Sequence, residues 1–114
     1  MAFVLKKSAT YFWPVKLEVP IDGGKFEVVQ FDAEFKSIPQ SRLLDLIAKQ
    51  ERGRATDVDV VKEILVGWKG IVDDQENEIP FSIKARDQLL DVVGVASVLG
   101  EIFFESRARA KRKN

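Results

Sequence analysis

The stretch Val58–Ser82, VDVVKEILVGWKGIVDDQENEIPFS, indicates how this chain of 114 residues is organised. Apolar side chains recur in its first half at intervals of three and four, and Gly67 and Gly70 interrupt that pattern. An acidic segment follows, after which Ile79-Pro80-Phe81 leads into Ser82, a residue type that often begins a helix. The stretch predicts a helix, a turn and the start of a second helix, and it contains no recognisable catalytic arrangement.

The first of these helices is predicted to begin near Thr56, a capping residue that is followed by acidic residues at the positive end of the helix. A single helical stripe, with spacings of three, four and three, is formed by Val58, Val61, Leu65 and Trp68. Because a tryptophan at the end of such a stripe is usually a core residue, we expect Trp68 to be buried rather than to bind a ligand.

The acidic segment carries four carboxylates, at Asp73, Asp74, Glu76 and Glu78. It lacks the central glycine and the terminal glutamate spacing of a calcium-binding EF-hand loop. We therefore expect no metal there, and we interpret residues 71–79 as a solvated, hairpin-like excursion between two short extended pieces.

Upstream, Phe12–Lys36 is predicted to form two strands. The odd positions of Trp13–Val19 are apolar, which is the period of a half-buried strand, and Pro14 places that strand at a sheet edge or marks its start. The turn Asp22-Gly23-Gly24 supplies the positive φ that a tight hairpin needs.

The return strand, Lys25–Phe35, alternates in two registers, and a β-bulge near Val28 and Val29 would reconcile them. A two-stranded hairpin is marginal alone, so it must pack against helices, another hairpin or a partner chain. The simpler hypothesis is that the hairpin aromatics are core residues: Phe12, Trp13, Phe31 and Phe35. The alternative is that one hairpin edge pairs with a neighbouring subunit.

A helix over about residues 38–52 is predicted to follow the hairpin. Ser37 and Gln40 have the spacing of a capping box, and Pro39 between them suits a first helical turn. Its expected apolar face is Leu43, Leu44 and Ile47, and Gly53 is its expected C-terminal cap.

Two more helices are predicted after the acidic segment. Ser82 caps the first of them, which carries Leu89, Leu90 and Val93, and Gly94 ends it. The last helix has a stripe formed by Val95, Val98, Leu99, Ile102 and Phe103. Phe104 lies about 100° further round, with Gly100 one turn back, so it either fills a second core seam or contacts another chain.

Together these elements predict a single α+β domain over residues 1–114. It comprises an N-terminal β-hairpin region over residues 1–36, a small bundle of three to four helices over residues 37–106, and a basic tail over residues 107–114. With a hydrophobic fraction of 46%, a chain of this length can bury a core without disulfides.

Composition excludes most catalytic chemistries. The chain has no cysteine and no histidine, which removes thiolate metal sites, disulfides and the commonest general base. Its 18 basic and 18 acidic residues cancel, so it has no global field that would attract nucleic acid or membranes. Lysines follow the apolar start at residues 1–5, which is the reverse of the order in a signal peptide, so we expect a cytoplasmic protein. From the composition we also expect no enzymatic activity and no cofactor.

Several motifs in order resemble a family of tail assembly chaperones from long-tailed, siphovirus-like bacteriophages and prophages. The longest is Leu65–Ser82, LVGWKGIVDDQENEIPFS, with Gly-Trp-x-Gly, an acidic turn and Pro-Phe-Ser. Tyr11–Val15 and Phe31–Phe35 precede it, and Phe104-Glu105-Ser106 with the basic end Lys111–Asn114 follows. The resemblance spans nearly the whole chain, although the arginines within residues 107–110 are more basic than the small residues usual there.

The resemblance implies a protein that binds the tape measure protein in the host cytoplasm, helps recruit tail tube subunits and is absent from the mature virion. A longer form made by ribosomal frameshifting would recruit the tube protein, and self-association is expected. Aromatic residues are the candidates for partner contact: Phe12, Trp13, Trp68, Phe81, Phe103 and Phe104.

The alternative is a small nucleic-acid-binding protein that contacts phosphates through the last eight residues, RARAKRKN, five of which are basic. Such a tail more often only solubilises a chain end, and no base-reading motif accompanies it.

Overall fold

A computed structural model describes residues 1–5 and 9–112, the last four of them by backbone alone. Its elements, in chain order, are β1 (Thr10–Ile21), β2 (Lys25–Lys36), α1 (Gln40–Glu51), α2 (Asp57–Ile64), β3 (Leu65–Lys69), α3 (Ile83–Leu90) and α4 (Val95–Arg112). The three strands form one antiparallel sheet in the order β1-β2-β3. The α+β class and the N-terminal hairpin are therefore confirmed.

The hairpin pairs in one unbroken register from Thr10 opposite Lys36 to Ile21 opposite Lys25. The predicted turn is confirmed, with φ of 83° at Gly23 and 73° at Gly24. The predicted bulge at Val28 and Val29 is wrong. Both of these side chains are exposed, so neither register has to face a core at that end of the hairpin.

A third strand replaces the second half of the helix predicted from Thr56. The helix α2 ends at Ile64, and Leu65–Lys69 pairs with the base of β2, with Trp68 opposite Ala33. Val66 and Gly67 are poor helix formers, and the open edge of β2 offers their backbone a partner. Leu65 and Trp68 are nevertheless buried, as predicted, because the strand points them at the same core.

Helices cover one face of the sheet only. The core contains Val15, Phe31, Ala33, Phe35, Leu46, Val60, Val61, Ile64, Leu65, Trp68, Leu90, Val95, Ala96, Leu99 and Phe103. Phe31 and Phe35 are core residues as expected, whereas Phe12 is 44% exposed, so its expected burial is wrong. The side chains of Tyr11 and Trp13 lie on the face that the helices cover. Because side chains alternate along a strand, Phe12 between them lies on the uncovered face.

Two of the three predicted N-terminal helix caps are confirmed. The Thr56 hydroxyl accepts from the amide of Asp59, whose carboxylate accepts from the amide of Thr56. The Ser82 hydroxyl accepts from the amide of Ala85 at 3.0 Å. The capping box at Ser37 is wrong, because the amide of Ser37 donates to the carbonyl of Ala9 and so extends the hairpin ladder.

The helix α1 begins with Pro39 as its N-cap, and its side chains are placed differently from the prediction. Leu46 is buried, Leu43 and Ile47 are half-buried, and Leu44 is exposed, which corrects the predicted face. Gly53, at φ 71°, ends the helix as predicted. The amide of Gly53 donates to the carbonyl of Gln50, and the amide of Arg54 donates to the carbonyl of Lys49, which together form a Schellman motif.

The last two helices meet at Gly94, which has φ 85°. Val93, predicted to belong to the helix that Ser82 caps, lies beyond the end of that helix and is fully exposed. The stripe predicted for α4 is buried or half-buried throughout.

The region expected to be helical, residues 37–106, thus also holds β3, and the expected basic tail continues α4 as far as Arg112. The end of that tail, residues 113–114, lies outside the described residues, as do the first lysines of the N-terminal segment, at residues 6–7. Within the part of the chain that is described, no helix is both long and apolar enough to cross a bilayer.

Candidate interaction surface

Of the six aromatic residues predicted for partner contact, five pack in or against the core and one lies on the uncovered face of the sheet. Trp68 and Phe103 are buried, while Trp13, Phe81 and Phe104 are half-buried against the core. Phe12 alone of the six lies on the uncovered face of the sheet. Trp68 and Phe103 can therefore support a binding surface but cannot contact a partner in this conformation.

A chain of edge-on ring contacts joins the hairpin to α4. Tyr11 packs against Trp13 and Phe35, Phe35 packs against Phe103 at a centroid distance of 5.4 Å, and Phe103 packs against Phe104. The Tyr11 hydroxyl also forms a hydrogen bond of 2.8 Å with the Ser106 hydroxyl. The orientation of β1 relative to α4 is thus fixed by both apolar and polar contacts.

A second aromatic pair fastens the acidic segment to the sheet. Trp68 lies edge-on to Phe81 with centroids 5.0 Å apart, and its indole N–H donates to the Ile79 carbonyl. The segment is the expected hairpin-like excursion, with Val72 bridged to Glu78. The Asp73 Oδ1 accepts hydrogen bonds from the backbone amides of Gln75 and Asn77, so this carboxylate stabilises the turn.

The face of the sheet opposite the helices carries side chains at the even positions of β1 and β2, and we call it the open sheet face. Its apolar members are Phe12, Pro14, Pro20, Phe26 and Val28, all exposed. Phe12 lies opposite Glu34 and Phe26 lies opposite Pro20, so apolar groups occupy both ends of the face. Charged residues of both signs lie between them: Lys16, Glu18 and Asp32.

Local contacts order the end of the open sheet face nearest β3. The Lys69 ammonium lies 4.1 Å from the centre of the Phe12 ring, a cation–π contact. The Thr10 hydroxyl donates to the Glu34 carboxylate over 2.7 Å. Phe12 is therefore held in place although nearly half of its surface is exposed.

The other end of the hairpin projects past the helices, and we call residues 17–29 the hairpin tip. Its exposed apolar side chains are Val19, Ile21, Phe26, Val28 and Val29, on both faces of the ribbon. Phe26 is 64% exposed and Val28 is 60% exposed. The sequence signal for this surface was the alternation of Lys25–Phe35 in two registers, which places apolar side chains on both faces of the strand. A strand needs a single apolar face only where one of its faces is buried, so this pattern is typical of an exposed ribbon.

One groove and the carboxylates around it are a candidate for a small-molecule or metal site. A shallow groove of about 320 Å³ between the start of α2 and the α3–α4 connection has Asp57 and Asp91 as its carboxylates. No cluster of three or more carboxylate, cysteine or histidine groups suited to a metal occurs among the described residues. The surface features that stand out are instead apolar and extended, which suits binding to another polypeptide.

Among the residues whose side chains are described, the shifted pKa values belong to two structural pairs, Thr56 with Asp59 and Arg42 with Glu63. Hydrogen bonds from the backbone and side chain of Thr56 lower the pKa of Asp59, and hydrogen bonds from Arg42 lower the pKa of Glu63. Both carboxylates stabilise helix positions, at the start of α2 and between α1 and α2.

Comparison of the chain with protein-family models, curated proteins and solved structures gives no match of any of the three kinds.

Proposed function

We propose that this protein is a tail assembly chaperone of a long-tailed bacteriophage, which binds the tape measure protein and keeps it soluble during tail construction. The observation that carries the proposal is the ordered set of motifs along Leu65–Ser82, with the flanking motifs at Tyr11–Val15 and Phe31–Phe35. In the structure these three segments are adjacent, because β1, β2 and β3 form one sheet and Phe81 packs on Trp68.

The open sheet face is the surface we propose for the tape measure protein. From Phe12 to Pro20, the partner of Phe26, the strand covers about 26 Å at 3.3 Å per residue. A helix of about 17 residues has the same length. An amphipathic helical segment could thus contact Phe12 with one end and Phe26 and Val28 with the other, with its polar groups near Lys16 and Glu18.

The buried aromatics have a supporting role in this proposal. Trp68 holds the Ile71–Ile79 excursion against the sheet, and Phe103 packs beneath Phe35. A rigid sheet presents its exposed side chains without a large ordering cost on binding.

The remaining parts of the proposal concern the assembly pathway. The protein would act in the host cytoplasm, depart before the virion is complete, and recruit tail tube subunits through a longer, frameshifted form. Self-association would repeat the binding surface along an elongated helical partner.

Co-expression with the cognate tape measure protein tests the proposal, scored by the soluble fraction of that protein and by co-purification. The double variant Phe12→Ser/Val28→Thr should lose most of the co-purified partner. The matched control is Ile83→Ser/Val93→Thr, which removes similarly exposed apolar groups from α3 and the α3–α4 connection and should retain it. Equal retention by both variants would exclude the open sheet face, and failure of the wild-type chain would exclude the chaperone function.

The same preparations distinguish the nucleic-acid alternative. Salt-dependent binding of DNA or RNA that disappears when the last eight residues are removed would favour it, since phosphate contacts release counterions. The chaperone proposal expects the truncated chain to keep its tape measure partner.

A further inference from the structure

One stretch of β2 lacks a neighbouring strand on the side where β3 lies. The strand β3 reaches only as far as Asp32, opposite Lys69, and the chain then turns away at Gly70, with φ 90°. Glycine suits this position because a φ of 90° lies in the left-handed region that other residues rarely adopt, whereas a Cβ would make only ordinary contact, 3.6 Å from the Phe31 Cα. No described element flanks β2 from Lys25 to Phe31 on that side.

The backbone groups on this uncovered edge can be assigned from the hairpin register. The amide of Ser37 donates to the carbonyl of Ala9, so odd-numbered pairs in this ladder are the hydrogen-bonded ones. The even residues Phe26, Val28 and Gln30 therefore direct their N–H and C=O groups away from β1. No described group of the chain hydrogen-bonds to them outside the strand pairing.

The opposite edge of the hairpin is protected against strand addition. The even residues of β1 face that edge, and two of them, Pro14 and Pro20, have no N–H to donate. The β2 edge has no proline among residues 25–31. Of the two hairpin edges, the one on β2 is thus the open template for another strand.

The same chain carries a segment with the chemistry of the missing strand. Residues 2–5, Ala-Phe-Val-Leu, are apolar, and the side chains of Phe3 and Leu5 are each 90% exposed. In an extended segment Phe3 and Leu5 face one side and Val4 faces the other. This pattern matches the hairpin tip, which exposes Phe26 and Val28 on one face and Val29 on the other.

The segment cannot add to the hairpin tip of its own chain. Gln30 lies opposite Lys16, seven residues beyond Ala9, or about 23 Å along the strand. The four residues from Ala9 back to Leu5 span at most about 14 Å. Only a second copy can bring residues 2–5 beside Phe26–Gln30.

We propose that residues 2–5 of one copy add as a strand to the β2 edge of the hairpin tip of the next copy. Donor and acceptor are different surfaces at opposite ends of the hairpin, so the contact is heterologous and, repeated head to tail, extends into an open array. The inference rests on the proposed function for its purpose, a repeated surface for an elongated partner. The contact itself is tested on the isolated protein.

The test is light scattering with size-exclusion chromatography of the full-length chain over a range of concentrations. The wild-type mass should rise with concentration. Phe3→Ser/Leu5→Ser removes the donor without touching the folded core, and Gln30→Pro removes an acceptor N–H; each variant should be monomeric. The matched control is Lys16→Pro, which changes the residue paired with Gln30 but on the protected edge, and it should assemble as the wild type does.

Mixing the two monomeric variants gives the sharpest result. Phe3→Ser/Leu5→Ser keeps a free acceptor and Gln30→Pro keeps a free donor, so the mixture should form a heterodimer and nothing larger. Circular dichroism confirms that each variant is folded before mixing. A monomeric wild type, equal loss in Gln30→Pro and Lys16→Pro, or no heterodimer would overturn the inference, and none of these results depends on the tape measure protein.

Discussion

The indole Nε1 of Trp68 donates a hydrogen bond of 2.7 Å to the carbonyl of Ile79, eleven residues later in the chain. This bond joins β3 to the far end of the excursion over residues 71–79. Within the excursion, the amide of Ile79 donates to the carbonyl of Ile71 and the amide of Asp73 donates to the carbonyl of Asn77. Trp68 therefore stabilises both the core and the excursion.

Trp68→Phe should lower the free energy of unfolding by about 2 kcal/mol, because it leaves the Ile79 carbonyl without its partner in a half-buried site. Urea denaturation measures the loss. Hydrogen exchange should also accelerate at the amides of Asp73 and Ile79. Trp13→Phe is the control: it removes a similar apolar volume from a half-buried ring, so unchanged exchange at those amides is expected. Equal acceleration in both variants would contradict the specific role of the indole N–H.

A second prediction concerns pH and the contact between α1 and α2. Arg42 donates from Nε and Nη2 to the two carboxylate oxygens of Glu63, at 2.6 and 2.5 Å, and this interaction lowers the pKa of Glu63. Since the folded pKa lies below the unfolded one, the pair stabilises the fold fully above the unfolded value of about 4.3. That stabilisation is lost as the pH falls through the folded pKa.

Glu63→Gln should therefore be less stable than the wild type at pH 7, and the difference should shrink as the pH is lowered below about 4. Urea midpoints measured between pH 7 and pH 3 give the comparison. Glu101→Gln, on an exposed position of α4, is the control. A difference between wild type and Glu63→Gln that stays constant over this range would show that the ion pair is not its source.

Sequence reasoning located the elements that are bounded by strong local chemistry. Turn glycines and alternation gave the hairpin, and capping by Thr56 and Ser82 gave the starts of two helices. Such signals involve residues within four positions of one another, so no knowledge of the tertiary structure is needed to interpret them.

The third strand was missed because its partner is distant in sequence. Val61, Leu65 and Trp68 have helical spacing, and they are buried, but Leu65–Lys69 pairs with β2 some thirty residues upstream. A burial pattern that satisfies both a helix and a strand cannot decide between them when the decisive contact is non-local. The sequence allowed a hairpin edge to pair with a neighbouring subunit, but which edge is free, and over which residues, depends on where β3 ends.

Phe104→Ala separates the two hypotheses for the second aromatic of α4. The ring is half-buried and packs 5.6 Å from Phe103, so we expect a loss of about 2 kcal/mol, less than the 3–5 kcal/mol typical of a fully buried phenylalanine such as Phe103. Urea denaturation measures the loss and light scattering measures assembly. A fall in assembly beyond that caused by unfolding would instead place Phe104 in a contact between copies.

The last prediction concerns the close approach of Gly67 to Glu34 across the β2–β3 pair. A Cβ on Gly67 would overlap the Glu34 Oε1 and lie 3.2 Å from both its Cβ and its Cδ. Gly67→Ala must therefore displace the Glu34 side chain and break its hydrogen bond with Thr10, at a cost of about 1–2 kcal/mol.

A double-mutant cycle isolates this clash. In a Glu34→Ala background the carboxylate is gone and only the Cβ contact at 3.2 Å remains, so Gly67→Ala should cost much less, helped by the smaller backbone entropy that alanine loses in a strand. Gly100→Ala in α4 is the matched glycine control, because its nearest neighbour, the Val61 Cγ2, is 4.0 Å away, and we expect it to be neutral or stabilising. If Gly67→Ala costs the same in both backgrounds, the strain does not come from the Glu34 carboxylate.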